Sequence, residues 1–332
     1  MFQYLICIRP LGFMYGSSGA FLSPENLVGR SGAKFPPEAA AVSGLICSIN
    51  QAERQFSKEE LREKLFVAGP FWAKYKNKQN FYVPISRNKI IADKDVGEWY
   101  IKDGKWDIEK SSEDKLEPDY QWQTITTWTS PTKYFKTDTE KKTVAKNPWK
   151  FTSILHPKIQ QQQRSVEKQD GLFLENAVQI PDDTCLIYLS TYPIENGWYR
   201  FGGENHIVEV ECEKITLNKV LELLHKPIKR AFALITPGVY GSTRFSYRYP
   251  QHQDFPEPKW MLLDKPITYR YRAKKQLGRG RYAVPAGSIY VLDKPLNKSW
   301  AEWNEAWFPS EGINLKHMGC GFCLPIEIKG VE

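Results

Sequence analysis

The feature that most restricts this chain is the order of elements in its first hundred residues. Phe2 to Ile8 reads as a buried strand, crowded with Tyr4, Leu5, Ile6 and Ile8 and stopped by Pro10. A glycine-rich loop follows, LGFMYGSSGAFLSPENLVGRSGAKFPP, with glycines at 12, 16, 19, 29 and 32. Then comes a helix: Pro36 and Pro37 start it, Glu38 suits its positive end, and Val42, Leu45, Ile46 and Ile49 recur on one face. A second, charged helix is expected over Lys58 to Leu65. After it, PFWAKYK and FYVPIS flank Asn77-Lys78-Gln79-Asn80, a hairpin pattern. Strand, loop, helix, hairpin is the opening of a βαββαβ ferredoxin-like unit.

RRM domains use the same layout on RNA. From about Arg87 to Lys146 the pattern breaks. This stretch is polar, charged and dotted with Trp, and EWYIKDGKWDI within it predicts a small hairpin turning at Asp103-Gly104. We read it as an insertion or mobile subdomain outside the core. Beyond it, CLIYLST and WYRFGGENHIVEVE read as strands, the latter bent at Gly202-Gly203. TLNKVLELLHK reads as a helix with Leu217, Val220, Leu221 and Leu224 on one face. RAFALITPG, ITYRYRAKK, RYAVPAGSIYVLDK and FCLPIEI complete the strands. The expected fold class is α+β: two ferredoxin-like (RRM-like) βαββαβ domains with insertions, residues 1–155 and 156–332.

Charge narrows the partners. The net charge is +8, and aromatics make up 14% of the chain, including 17 Tyr and 11 Trp. Cations track phosphates while rings stack on bases, so the balance favours a nucleic acid. The N-terminus lacks a basic n-region and a cleavage pattern, and no apolar stretch is long enough to span a bilayer. Six scattered cysteines, with Cys7, Cys47 and Cys185 in apolar segments, predict a reduced, cytoplasmic protein without membrane contact.

Two segments carry the RNA-binding expectation. In the glycine-rich loop, Gly29 and Gly32 let backbone N–H groups approach an anion, and Arg30, Ser31 and Lys34 add donors ahead of a helix N-terminus. Tyr15, Ser17 and Asn26 belong to the same candidate surface. The loop matches neither a Walker A nor a dinucleotide fingerprint. The second segment, Lys265 to Leu292, holds seven basic residues and no Asp or Glu. In ITYRYRAKK, Ile267, Tyr269, Tyr271 and Ala273 fall on one face and Thr268, Arg270, Arg272 and Lys274 on the other. Lys275, Arg279 and Arg281 extend the cationic set, and Arg164 in HPKIQQQQRSVEKQDGLFLENAVQI is a further candidate. The competing reading is an edge strand protected by charge.

No catalytic constellation assembles. GxSxG and HExxH are absent, and the five histidines are dispersed, so neither catalytic residues nor a cofactor are expected. Cys320 and Cys323 form a single CxxC with only His317 nearby, too few ligands for a structural zinc, and read as packed core thiols.

These residues resemble a family. IRPLGFMYGSSGAFLSPENLVGRSGAKFPPEAAAVSGLI looks like the first strand, loop and helix of the third subunit of the type III-B CRISPR Cmr complex, in the RAMP superfamily. HPKIQQQQRSVEKQDGLFLEN is similar to the family's His, Arg, then Gly-x-Leu segment, though Pro157-Lys158-Ile159 stands where the family often carries Gly-Ile. RFGGENHIVEVE, LITPGVYG and AVPAGSIYVL resemble later strands and turns. The resemblance implies two RRM-like domains of the RAMP type and binding of the crRNA 5′ handle. It also implies docking on the large polymerase-like subunit and the backbone RAMP subunits, only indirect contact with target RNA, and no nuclease activity. Two other classes stay open: a RAMP endoribonuclease that matures crRNA, and a structural subunit that binds only protein.

Overall fold

A computed structural model describes residues 2–15, 35–110, 116–137, 140, 142–157, 159, 165–166, 172–202, 206–242, 244–270, 272–273, 276–310 and 312–331. The opening elements form as their sequence predicts. Strand β1 (Tyr4–Pro10) is followed by the short β2 (Met14–Tyr15) and helix α1 (Ala39–Glu53). Helix α1 buries Ala39, Val42, Leu45 and Ile46, with Ile49 half-buried beside them. Cys47, expected in the core, lies instead on its exposed side. Helix α2 (Lys58–Lys64) is capped by Ser57, whose side chain accepts from the Glu60 N–H at 3.0 Å. The hairpin of β3 (Val67–Lys74) and β4 (Tyr82–Pro84) closes through a 3₁₀ turn at Tyr75–Asn80.

The next segment is anchored to the core, correcting the expectation of a mobile subdomain. Strands β5 (Lys89–Ile91), β6 (Val96–Lys102) and β7 (Lys105–Lys110) form one meander. It turns as expected at Asp103-Gly104, where φ is +49° and +75°, the backbone a tight two-residue turn requires. Its tryptophans are fasteners: Trp106 Nε1 donates to the Met261 carbonyl at 3.1 Å, and Trp128 Nε1 to the Pro325 carbonyl at 2.9 Å. Strands β8 (Trp122–Thr124) and β9 (Val144–Ala145), with the one-turn helix α3 (Tyr134–Thr137) between them, add to the outer side of β4. Strands β10 (Lys150–Pro157) and β11 (Leu172–Gln179) pair as a two-stranded ribbon that also takes β2.

Three later strands complete the first sheet: β12 (Thr184–Ser190), β13 (Gly197–Phe201) and β14 (His206–Lys214). The order is β13-β14-β1-β12-β3-β4-β8-β9, and every pairing is antiparallel. The strands beside β1 are therefore β12 and β14, and residues 75–183 run between the paired arms β3 and β12. A division at residue 155 cuts through this sheet, because β12 and β14 lie after it yet flank β1. Among the described residues no helix crosses from β12 to β14; β13 occupies that connection. Both faces are covered: Ile6 and Ile8 meet α1, while Leu5 and Cys7 join a cluster with the second half of the chain. That is why LICI reads as a continuous apolar run rather than an alternating one.

Helix α4 (Asn218–His225) leads into a second sheet of β15 (Ala231–Leu234), β18 (Pro258–Leu262), β23 (Ile289–Leu292) and β24 (Cys323–Pro325), ordered β18-β23-β15-β24 and antiparallel. Among the described residues its connections carry no α-helix. Between β15 and β18 stands the hairpin β16 (Tyr240–Gly241) and β17 (Ser246–Tyr247). Between β18 and β23 stand β19 (Ile267–Tyr269), β20 (Arg272–Ala273), β21 (Gln276–Leu277) and β22 (Arg281–Ala283). Between β23 and β24 run 3₁₀ turns holding Trp300, Trp303 and Trp307, all buried. The chain is thus α+β, strand-rich with few helices, and among the described residues a helix stands in the β1–β3 crossover but in none of the other crossovers that two βαββαβ units would carry.

Candidate nucleic-acid interface

The structure sorts the expected cations. Ser17, Asn26, Gly29, Arg30, Ser31, Gly32 and Lys34 lie outside the described residues, as do Arg164, Lys274 and Lys275. Tyr15 ends β2 opposite Ala177, and Arg272 in β20 stands opposite Leu277. ITYRYRAKK is not one strand: β19 pairs with β22 and stops at Tyr269, and β20 turns back onto β21. Tyr269 is buried as expected, but Ile267 is exposed. Arg270 Nε donates to the Gly278 carbonyl at 2.7 Å, which holds the base of this loop, and Arg279 is exposed.

Arg281 corrects the expectation directly. It is only 6% exposed, lies opposite Tyr269, and its guanidinium donates to the Ser242 carbonyl. The β16–β17 hairpin folds over it, so Arg281 ties that hairpin down and is not presented on the surface.

The hairpin is a candidate surface that motif reasoning missed. Gly241 adopts φ +109°, and a Cβ there would collide with the Phe245 carbonyl oxygen, so only glycine closes this turn. The Ser242 hydroxyl then accepts from the Arg244 and Phe245 N–H groups, each at 3.2 Å. The result presents Arg244, Phe245, Tyr247 and Arg248 outward, with Phe245 61% exposed. Beside it, the Tyr282 N–H donates to Ser246 Oγ at 3.1 Å, and the Tyr282 ring is 59% exposed. Neither Arg244 nor Arg248 has an ion-pair partner among the described residues. The signal was in the sequence: RFSYRY interleaves cations and rings, and Leu223 to Gln253 contains no Asp or Glu. Arginines for phosphates and exposed rings for bases are the ingredients of a single-strand platform.

A cleft of about 640 Å³ opens beside these rings, walled by Tyr247, Arg248, Leu263, Asp264, Pro266 and Tyr282. Asp264 Oδ1 accepts the Lys265 N–H at 2.7 Å, and Oδ2 accepts Arg87 Nη2 at 2.6 Å. These contacts, the Lys265 N–H first, hold its carboxyl below the usual carboxylate range.

Elsewhere, two apolar surfaces are uncovered. One face of the β10–β11 ribbon shows Phe151, Leu155 and Leu172, with Ile159 and Val166 bridging further out. At the sheet edge, β13 displays Trp198, 71% exposed, near Ile207 and Leu11. The two CxxC thiols are buried: Cys320 Sγ accepts the Val239 N–H at 2.9 Å, and His317 Nε2 faces Glu305 Oε1 at 3.1 Å. Among the described residues no cluster of His, Cys, Asp or Glu could hold a metal ion, and no helix is long and apolar enough to cross a membrane.

No protein-family model and no curated protein matches the chain. Solved structures do. A chain of the type III-B Cmr-beta complex bound to cognate target RNA superposes with a TM-score of 0.50 at 11% identity, covering 86% of this chain and 86% of that one. A chain of the same complex bound to cognate target RNA and AMPPnP, state 1, gives a TM-score of 0.51 at the same identity and coverage. The fold is shared. At this identity the likeness speaks for architecture: an antiparallel, strand-rich α+β chain of the kind found in a type III CRISPR effector complex.

Proposed function

We propose that this chain is a non-catalytic RNA-binding subunit of a type III CRISPR ribonucleoprotein. In this reading it caps the crRNA 5′ handle and docks on the large polymerase-like subunit and the backbone RAMP subunits. The observation that carries the RNA part is the β16–β17 hairpin, with Phe245, Tyr247 and Tyr282 exposed beside Arg244 and Arg248. The fold shared with an effector chain supports the setting. The strand orders support two ferredoxin-like units of the RAMP type: β14-β1-β12-β3 and β24-β15-β23-β18 both place the first strand between the fourth and third, as split βαβ units do. The exposed apolar faces of the β10–β11 ribbon and β13 suit protein partners.

The non-catalytic part rests on dispersal. His156, His206, His225 and His317 stand on four different elements and His252 in a loop, and His252 and His317 face carboxylates of Asp254 and Glu305. The test is filter binding of purified chain to RNA with and without a repeat-derived 5′ handle, read on a denaturing gel. Handle RNA is expected to bind preferentially, with salt-dependent affinity, and to stay intact. Arg30→Ala with Lys34→Ala is expected to cost roughly 1–3 kcal/mol on handle RNA, each being a charge-assisted contact. Cleavage of repeat RNA that disappears when one histidine is changed would overturn the non-catalytic reading. Equal affinity at low and high salt would favour a protein-only role.

A further inference from the structure

The cleft beside the hairpin has walls of a particular kind. Met261, Leu263, Pro266 and Val284 line it with apolar surface, Tyr282 stands at its mouth, and Asp264 offers a carboxylate whose side chain is 51% exposed. Its volume, about 640 Å³, falls within the roughly 300–1,000 Å³ usual for small-ligand sites. We propose that this cleft receives one unpaired RNA base, guanine above all, stacked on Tyr282 and hydrogen-bonded to Asp264; this rests on the RNA-binding reading above.

The preference follows from counting acceptors. An ionised carboxylate accepts only, through about four lone pairs on its two oxygens. Lys265 N–H takes one on Oδ1 and Arg87 Nη2 takes one on Oδ2. Each oxygen keeps acceptor capacity for one further donor, so the carboxylate can take a ligand edge that brings two. Guanine alone among the four bases presents two adjacent N–H donors on its pairing edge, at N1 and N2. Adenine and cytosine bring one amino group, and uracil brings one N–H flanked by carbonyl oxygens that a carboxylate repels. The surrounding charge fits an RNA occupant: Arg248 on the wall and Arg244 and Lys265 nearby sit where a phosphate chain would run past the cleft. An acidic peptide would meet Asp264 as a like charge.

Fluorescence anisotropy with the full chain tests this, using short uridine oligonucleotides with one central guanosine, inosine, adenosine or no substitution. The guanosine RNA is expected to bind about tenfold more tightly than all-uridine RNA, a modest yield for one two-point base contact. Inosine, which keeps N1–H and lacks the amino group, should fall between them. Asp264→Asn should erase the guanosine preference while leaving all-uridine affinity within about twofold. Tyr282→Ala should weaken guanosine RNA by about tenfold through lost stacking. Equal binding of all four RNAs by the wild-type chain would overturn the pocket and leave the RNA-binding reading standing. Absence of binding to any of them would overturn that reading first. Tyr282→Ala that leaves RNA affinity unchanged but releases a co-purifying protein would assign the cleft to a protein contact instead.

Discussion

The two sheets share a strand order and differ in what joins their strands. In the first, the crossover from β1 to β3 holds α1, whose Val42, Leu45 and Ile46 share a buried cluster with Ile6, Ile8, Leu186 and Tyr188 on one face of the sheet. In the second, the crossover from β15 to β18 holds only the β16–β17 hairpin, and Phe245 and Tyr247 point to solvent. A helical connection spends its apolar side on the core, where burial repays ordering. A hairpin held by Gly241, Ser242 and Arg281 is tied through its backbone, so its side chains stay available for a ligand. Both sheets are buried at their centres, and the difference lies in the connection: a helix turned to the core in one, a hairpin with exposed rings in the other.

The largest expected effect probes the first sheet. Ile187 in β12 is fully buried, and Ile187→Ala is expected to cost about 2–5 kcal/mol by urea denaturation. Tyr282→Ala, in the exposed second region, should change stability by less than about 0.5 kcal/mol. Comparable losses from both would break the contrast. Next in size, replacing Arg244 and Arg248 together by Ala should weaken RNA binding and flatten its salt slope by about 1.4, two single-strand phosphate contacts at about 0.7 each. An unchanged slope would move the cations' partner elsewhere. The smallest effect sharpens the helical side: Ser57→Ala removes the α2 cap and should cost about 1 kcal/mol in thermal unfolding, with RNA affinity unaltered.

What was legible in the sequence was local. The α1 face shows in a 3.6-residue period, and the Asp103-Gly104 turn shows in a dipeptide that tolerates positive φ. Partner choice was not legible, because β4 and β12 are both apolar strands and nothing local says which lies beside β1. Trp106 and Trp128 looked like surface aromatics in a polar stretch, since the carbonyls they hold, Met261 and Pro325, are far along the chain. Basic-strand reasoning treats the cations of this run alike, and the structure separates them. Arg281 shares the acid-free run with exposed Arg279 and is turned inward by a register that pairs it with Tyr269. RFSYRY was passed over because its strands are two residues long, too short for alternation to register.

The insertion between β3 and β12 also sets a timetable. Strand β1 is made first, yet its two neighbours, β12 and β14, end at Ser190 and Lys214. At about 5–20 residues per second, the ribosome leaves β1 waiting roughly 10–40 s for either. Through that interval LICI has two open edges and apolar side chains on both faces, the condition under which nascent strands find wrong partners. Helix α1 emerges within the same wait and can shield only the Ile6 and Ile8 side. A cell making this chain therefore has reason to keep a chaperone close to the exit tunnel until β14 has been delivered.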